Sequence, residues 1–325
     1  MTQAPHQPAH DRLAHFPIAF FAIVMGVAGL TIAVEKAQHL WGWSSAPSLA
    51  LLAVTVLLYI GISATYLIKF IRHGKEVVAE FNHPIRMSFF PASSIGMLLI
   101  AIACLDPFPT AALYLWVIGT VVQLLFTLVI LSNWVHHEKF QIQHSNPAWF
   151  IPIVGNILVP VAGVPLGFME ISWFFFSIGL VNWIVLLTIL MNRFFFHPMM
   201  PGKLLPTLFI LIAPPAVAFI SWVKLHHGVL DDAGRIFYYT ALFTTMLLFA
   251  QMKYFAKVQF ALPWWAYSFP MAAISISSMM MLEMVGGAFF ASLAPLLLTL
   301  LLLLIVVLVF NTIRAMLRGE ICVPE

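Results

Sequence analysis

The chain has 325 residues, 62% hydrophobic and only 8% charged, with a formal net charge of +3 and a mean hydropathy of +1.00. A soluble domain carries about 25% charged residues, so the composition excludes a soluble globular enzyme, and no basic face is present to bind nucleic acid. The two cysteines, Cys104 and Cys322, stand far apart with no partner motif, which excludes a disulfide framework and a cysteine zinc site.

Residues 1–15 (MTQAPHQPAHDRLAH) read as a short polar tail. They are not expected to be a signal peptide, because no small-residue cleavage site follows the first apolar run. Ten apolar segments come next, at 16–34, 47–68, 87–105, 110–132, 148–168, 171–191, 204–223, 235–252, 262–282 and 289–313, and a short tail at 315–325 closes the chain. Each approaches the roughly 20 helical residues that cross a bilayer core of about 30 Å. The sequence predicts one transmembrane domain over 1–325, all-α, with no Asp, Glu, Lys or Arg at a segment centre.

The odd segments repeat a pattern about every 60 residues. Their charge-free runs begin near Pro17, Pro84, Pro147, Pro206 and Pro263, and four carry a second proline further in: Pro91, Pro152, Pro214 (with Pro215) and Pro270. A fixed period marks a repeat architecture. Helix breakers at membrane depth are tolerated where the backbone is buried in protein or lines a cavity.

Loop charge sets orientation. The termini and the loops after segments 2, 4, 6 and 8 hold twelve of the fifteen basic residues, whereas the other side holds Lys36, Lys224 and Arg235. Both termini are therefore expected in the cytoplasm. The odd segments carry Ser88, Ser93, Ser94, Asn156, Thr207, Ser268, Ser275 and Ser277 with many small residues, while segments 2 and 10 are almost uniformly large and apolar. The repeat unit is thus a hairpin of one inner and one lipid-facing helix. Five hairpins of one orientation close into a ring with quasi-five-fold symmetry around a central pore, odd helices inside and even helices outside, the parallel-repeat arrangement.

Several stretches are shared with a known family: His83-Pro84-Ile85-Arg86-Met87-Ser88-Phe89, Gly119-Thr120, Gln123-Leu124-Leu125-Phe126, Asn146-Pro147 through Pro152 to Asn156, Leu211-Ile212-Ala213-Pro214, His227-Gly228 and Trp265-Ala266-Tyr267-Ser268-Phe269. In order and spacing the chain resembles the tellurite-resistance/slow-type anion channel family (TehA-like), also described as C4-dicarboxylate or malic-acid transporters. The resemblance implies ten helices in five hairpins, a homotrimer in the plasma or bacterial inner membrane, and a pore closed by a phenylalanine whose position matches Phe269. One departure is Pro270, where a bacterial member has glycine.

The candidate site residues follow from both lines. Phe269 is the candidate gate. Pro17, Ser88, Pro91, Pro152, Asn156, Pro214, Ser268 and Pro270 are candidates for kinking or lining the pore. Arg86 either draws anions to the cytoplasmic mouth or acts as a positive-inside anchor, and Asn156 either bonds a neighbouring helix or faces the pore. With no fixed charge expected in the pore, the reading is a passive channel for small monovalent anions such as chloride and nitrate; the alternative is a secondary carrier for C4-dicarboxylates, sulfite or tellurite-related oxyanions. The sequence alone leaves the sign of the ion open, since freed carbonyls at prolines repel anions. The pairs His136-His137 and His226-His227 fall on opposite sides and cannot share a metal. Gly163-Val164-Pro165-Leu166-Gly167 matches the small-residue dimer pattern, but its proline favours an internal bend. No metal, cofactor, catalytic group or nucleic-acid partner is expected; the expected partners are anions, lipid and two further copies of the chain.

Overall fold

A computed structural model describes residues 11–323. The outer parts of the two expected tails, residues 1–10 and 324–325, lie outside the described residues. All ten expected segments are helical, and no strand occurs among the described residues. They run Ile18–Trp41, Ala46–Arg72, Arg86–Ala103, Pro109–His136, Pro147–Gly163, Met169–Phe196, Gly202–Leu225, Asp232–Ala250, Leu262–Val285 and Gly287–Leu317, and are called segments 1 to 10. A short helix, Gly74–Asn82, lies between segments 2 and 3, and a single turn, Met252–Phe255, follows segment 8.

The odd segments share one construction. Each opens as a 3-10 helix and continues as an α-helix: Ile18–Phe20 into Phe21–Trp41, Arg86–Phe89 into Ala92–Ala103, Pro147–Phe150 into Ile151–Gly163, Gly202–Ile212 into Ala213–Leu225, and Leu262–Tyr267 into Ser268–Val285. The prolines explain the junctions. Pro91 is the N-cap of its α-helix, Pro152 and Pro214 lie in the opening turn, and Pro270 is the third residue of Ser268–Val285. A first turn has N–H groups without helical partners, so a residue lacking that donor is tolerated there. The repeated prolines thus mark the places where the helix type changes, and do not break the α-helices in their middles.

The ring is closed by packing between odd segments: 1 on 3, 3 on 5, 5 on 7, 7 on 9, and 9 back on 1. Each even segment packs on the odd segment of its own hairpin and touches that of the next. Burial separates the two layers. In segments 1, 3, 7 and 9 the apolar windows are 78–83% buried, and all of Ile151–Gly163 in segment 5 is buried, whereas the even windows are 17–33% buried. Apolar side chains such as Leu57, Leu125, Val181, Phe243 and Val306 remain exposed on the outer layer. In water that surface would be unfavourable, but against lipid it is matched.

Polar groups act mainly as glue between helices. Ser94 donates to Gln123 Oε1 (2.7 Å), Gln123 donates to the Pro152 carbonyl (2.8 Å), and Asn156 donates to that carbonyl (2.8 Å) and to Thr127 Oγ1 (2.9 Å), which ties segments 3, 4 and 5. Ser221 bonds the Ile157 carbonyl (2.5 Å) and Ser277 the Ala216 carbonyl (3.1 Å) across the inner ring. Asp231 caps segment 8, accepting from the Gly234 N–H (2.8 Å) and from Trp222 Nε1 (2.7 Å). These bonds, the backbone one first, hold its carboxyl below the ordinary aspartate range.

Small residues allow the closest approaches. A methyl group at Gly179 of segment 6 would lie 2.8 Å from the Ile157 backbone nitrogen and 3.2 Å from the Ile153 carbonyl oxygen. Backbone cannot step aside as a side chain does. Gly179→Ala is therefore expected to destabilise the fold by about 1–3 kcal/mol, read as a lower melting temperature in detergent, while Gly61→Ala, where nothing lies within 4 Å, serves as the unaffected control.

Candidate functional site

Two cavities lie on the ring axis. The first, about 40 Å³, sits at the end of the bundle that carries the termini; it is walled by Ala19, Ala22 and Met25 of segment 1, Phe89 and Ile95 of segment 3, Ile151 and Val154 of segment 5, Ile210 and Ala213 of segment 7, and Trp265, Phe269 and Pro270 of segment 9. The second, about 200 Å³, opens toward the far end, with Gly29 and Ile32, Leu99 and Ile102, Leu158 and Val161, Val217 and Ile220, and Phe269, Ala273 and Met280 from the same five segments in the same order. In every odd segment, earlier residues face the first cavity and later residues face the second. The five inner helices therefore run parallel.

Among the described residues, Phe269 is the one side chain that lines both cavities. It is 7% exposed, at the second residue of the α-helix Ser268–Val285. Gly29 leaves room beside it: a methyl there would stand 3.7 Å from the ring's Cδ2 and 2.8 Å from the Ala272 methyl. Between the cavities, the walls near this ring are apolar. Water has few partners in such a constriction, and an ion moving through it gives up hydration without replacement.

The other expected site residues are placed differently. Pro270 lines the first cavity, whereas Pro17, Ser88, Pro91, Pro152, Asn156, Pro214 and Ser268 line neither. Hydrogen bonds occupy the Asn156 amide nitrogen and the Ser268 hydroxyl, whereas among the described residues Ser88 Oγ and Asn156 Oδ1 are buried with no hydrogen-bond partner. Asn156 is fully buried against Thr127 and Pro152, and Ser268 Oγ donates to the Trp265 carbonyl (2.6 Å) while packing against Gly26. Ser88 is also fully buried, just before the cavity-lining Phe89. Pro17, Pro91, Pro152 and Pro214 stand at or next to helix openings. Arg86 opens the 3-10 turn of segment 3, half-buried, with its N–H on His83 Nδ1 (3.3 Å), and does not line the first cavity.

The expectation of a charge-free space fails, at one end only. Glu35, Lys36, His39, Asp106 and Lys224 line the far-end cavity. Glu35, Lys36, His39 and Lys224 were missed because segments 1 and 7 were expected to stop at residues 34 and 223, which assigns these groups to loops; Asp106 does lie in the turn that follows segment 3. The helices continue to Trp41 and Leu225, and segment 1 ends only where Gly42 takes up a left-handed φ of +69°. Gly42 was the available signal in the sequence.

Among the described residues, Glu35, His39 and Asp106 form the group with metal-ligand chemistry, their ligand atoms lying within 4.8 Å of one another. Lys36 and Lys224 line the same cavity wall, Lys36 paired with Glu283. The two histidine pairs stand apart: His136 Nδ1 is on the Ser132 carbonyl (2.9 Å), and His226 stacks on Trp222 with centroids 4.1 Å apart.

A closed ring of parallel inner helices, an apolar axis and a lipid-matched outer layer define a multi-pass membrane protein of the channel and transporter class. The chain belongs to the voltage-dependent anion channel (SLAC1) family, which it matches over residues 15–313. It is 30% identical to the S-type anion channel SLAH2 of Arabidopsis thaliana over 293 residues, covering 87% of this chain and 56% of that one. A tellurite resistance protein TehA homolog of Haemophilus influenzae is 24% identical, with 81% and 80% of the two chains covered. An uncharacterized transporter of Methanocaldococcus jannaschii is 23% identical, covering 84% and 87%. The chain spans about half the length of the plant relatives it matches. The family is one of channels and transporters, not enzymes.

Proposed function

We propose that this protein is a passive channel for small monovalent anions, closed by the Phe269 ring. The observation that carries this reading is the position of Phe269 between the two axial cavities. Two physical arguments support it. First, among the described residues no Asp, Glu, Lys, Arg or His lines the cavity on the terminal side, or the wall beside the ring, to couple flux to protons. Second, the five inner helices all point their N-terminal, partially positive ends toward the terminal side, so an anion approaching from there meets a favourable field. Weakly hydrated anions such as chloride, bromide and nitrate lose least on entering apolar walls, so they pass more readily than a dicarboxylate. By loop charge, the terminal side is cytoplasmic in a plasma or bacterial inner membrane, and the exposed even helices are the faces available for homotrimer contacts.

Reversal potentials under anion and pH gradients test the reading. A passive channel gives currents that reverse at the chloride or nitrate equilibrium potential and ignore ΔpH. Flux that follows ΔpH, or transport of a C4-dicarboxylate or an oxyanion in preference to chloride, makes the protein a carrier instead.

A further inference from the structure

The far-end mouth is electrostatically hostile to anions in every respect but one. All five inner helices end there, at Trp41, Ala103, Gly163, Leu225 and Val285, and helix C-termini carry partial negative charge. Glu35, Asp106 and Glu283 add carboxylates, His39 stands 3.3 Å from Asp106, and Lys36 is occupied by an ion pair with Glu283. Among the described residues that line this cavity, Lys224 is the remaining cation. It is exposed into the cavity one residue before the end of segment 7, and it makes no hydrogen bond or ion pair with any described residue. Beside it stand Val217, Ile220 and Val161, which offer an anion nothing.

We infer that Lys224 is the anion-binding side chain of this mouth, gathering a small monovalent anion in the 200 Å³ cavity outside Phe269. The inference rests on the channel reading for its consequence, but not for the binding itself. The ammonium offsets the helix ends and the carboxylates opposite, so that the local potential admits an anion. Such an effect is coulombic and long-ranged only when salt is low: the screening length is about 30 Å at 0.01 M and about 3 Å at 1 M.

Two measurements test it on the full chain. In bilayer recordings on the Phe269→Ala background, Lys224→Gln is expected to lower chloride conductance about threefold near 0.01 M and to leave it unchanged near 1 M, Lys224→Arg to preserve it, and Glu35→Gln or Asp106→Asn to raise it. Equal conductance at low salt, or an equal fall at both salts, overturns the proposal. In detergent, replacing gluconate by nitrate at constant ionic strength is expected to raise the melting temperature of the wild-type protein by binding to the folded state, and Lys224→Gln is expected to abolish that rise. If nitrate stabilises both proteins equally, Lys224 is not the site. If Phe269→Ala carries no current but the Lys224-dependent stabilisation persists, the site stands and the channel reading fails.

Discussion

Replacing Phe269 with alanine is expected to raise anion conductance by about tenfold or more, since roughly 1.4 kcal/mol of barrier is worth a factor of ten in rate. The ring is the shared wall of the two axial cavities, and its removal joins them into one water-accessible path. In the proposed channel the barrier at the ring is a dry one: an anion there meets apolar side chains and sheds water for nothing in return. Phe269→Leu, which keeps much of the apolar volume, is expected to lie between the two. The measurement is whole-cell or bilayer current, with surface expression checked. Pro270 does not interfere with this expectation, because it sits in the opening turn of its α-helix, where a missing donor is tolerated. A mutant that reaches the membrane and conducts no better than wild type removes Phe269 as the gate.

The architecture was legible in the sequence because membrane proteins obey two strong constraints. Backbone polar groups must be satisfied within helices, which fixes segment length, and small residues must face protein while large ones face lipid. Segments 4 and 9 could therefore be drawn within a few residues of Pro109–His136 and Leu262–Val285, and the assignment of odd segments to the inside follows from Gly, Ser and Ala content. The 3-10 openings were not legible. Proline disfavours the interior of an α-helix without excluding it, as Pro160 and Pro295 show, and whether the chain before it coils as 3-10 or α depends on how tightly it packs against neighbouring segments.

The candidate site divides in the same way. The candidate gate Phe269 was singled out mainly through resemblance, since it is one phenylalanine among 29, and its setting before Pro270 in a serine-bearing inner segment is the local feature that sets it apart. The sequence left both possibilities open for Asn156 and Ser268, because a polar residue in an inner helix has two ways to be satisfied, by water in a pore or by a carbonyl across a helix contact. Sequence does not give the rotation of a helix about its axis; the structure turns both residues toward neighbouring backbone and side-chain groups. Glu35 and Lys224 were misplaced by a few residues of helix length, which was enough to move them from a cavity wall to a loop.

Glu80→Ala is expected to cost about 3–5 kcal/mol, the usual price of breaking one side of a buried ion pair. Lys69 and Glu80 are 3% and 5% exposed, and their charged atoms are 2.7 Å apart. The pair is not isolated. Glu80 also accepts from the Ile18 N–H (2.7 Å) and the Tyr66 hydroxyl (3.0 Å), and Lys69 donates to the Phe16 carbonyl (2.9 Å). The short helix Gly74–Asn82 thereby fastens segment 2 to the opening of segment 1, just before Ala19 and Ala22 reach the first cavity. Loop-charge counting treats Lys69 as a topological anchor and misses this role, because Glu80 reaches Lys69 through a helix that is not itself a membrane span. Removing the carboxylate leaves a buried ammonium with one carbonyl and strands the Ile18 N–H. The double replacement Lys69→Met with Glu80→Leu removes both charges together and is expected to be clearly more stable than Glu80→Ala alone. Melting temperatures in detergent measure both, and a Glu80→Ala protein as stable as wild type would show that water, not this pair, satisfies the site.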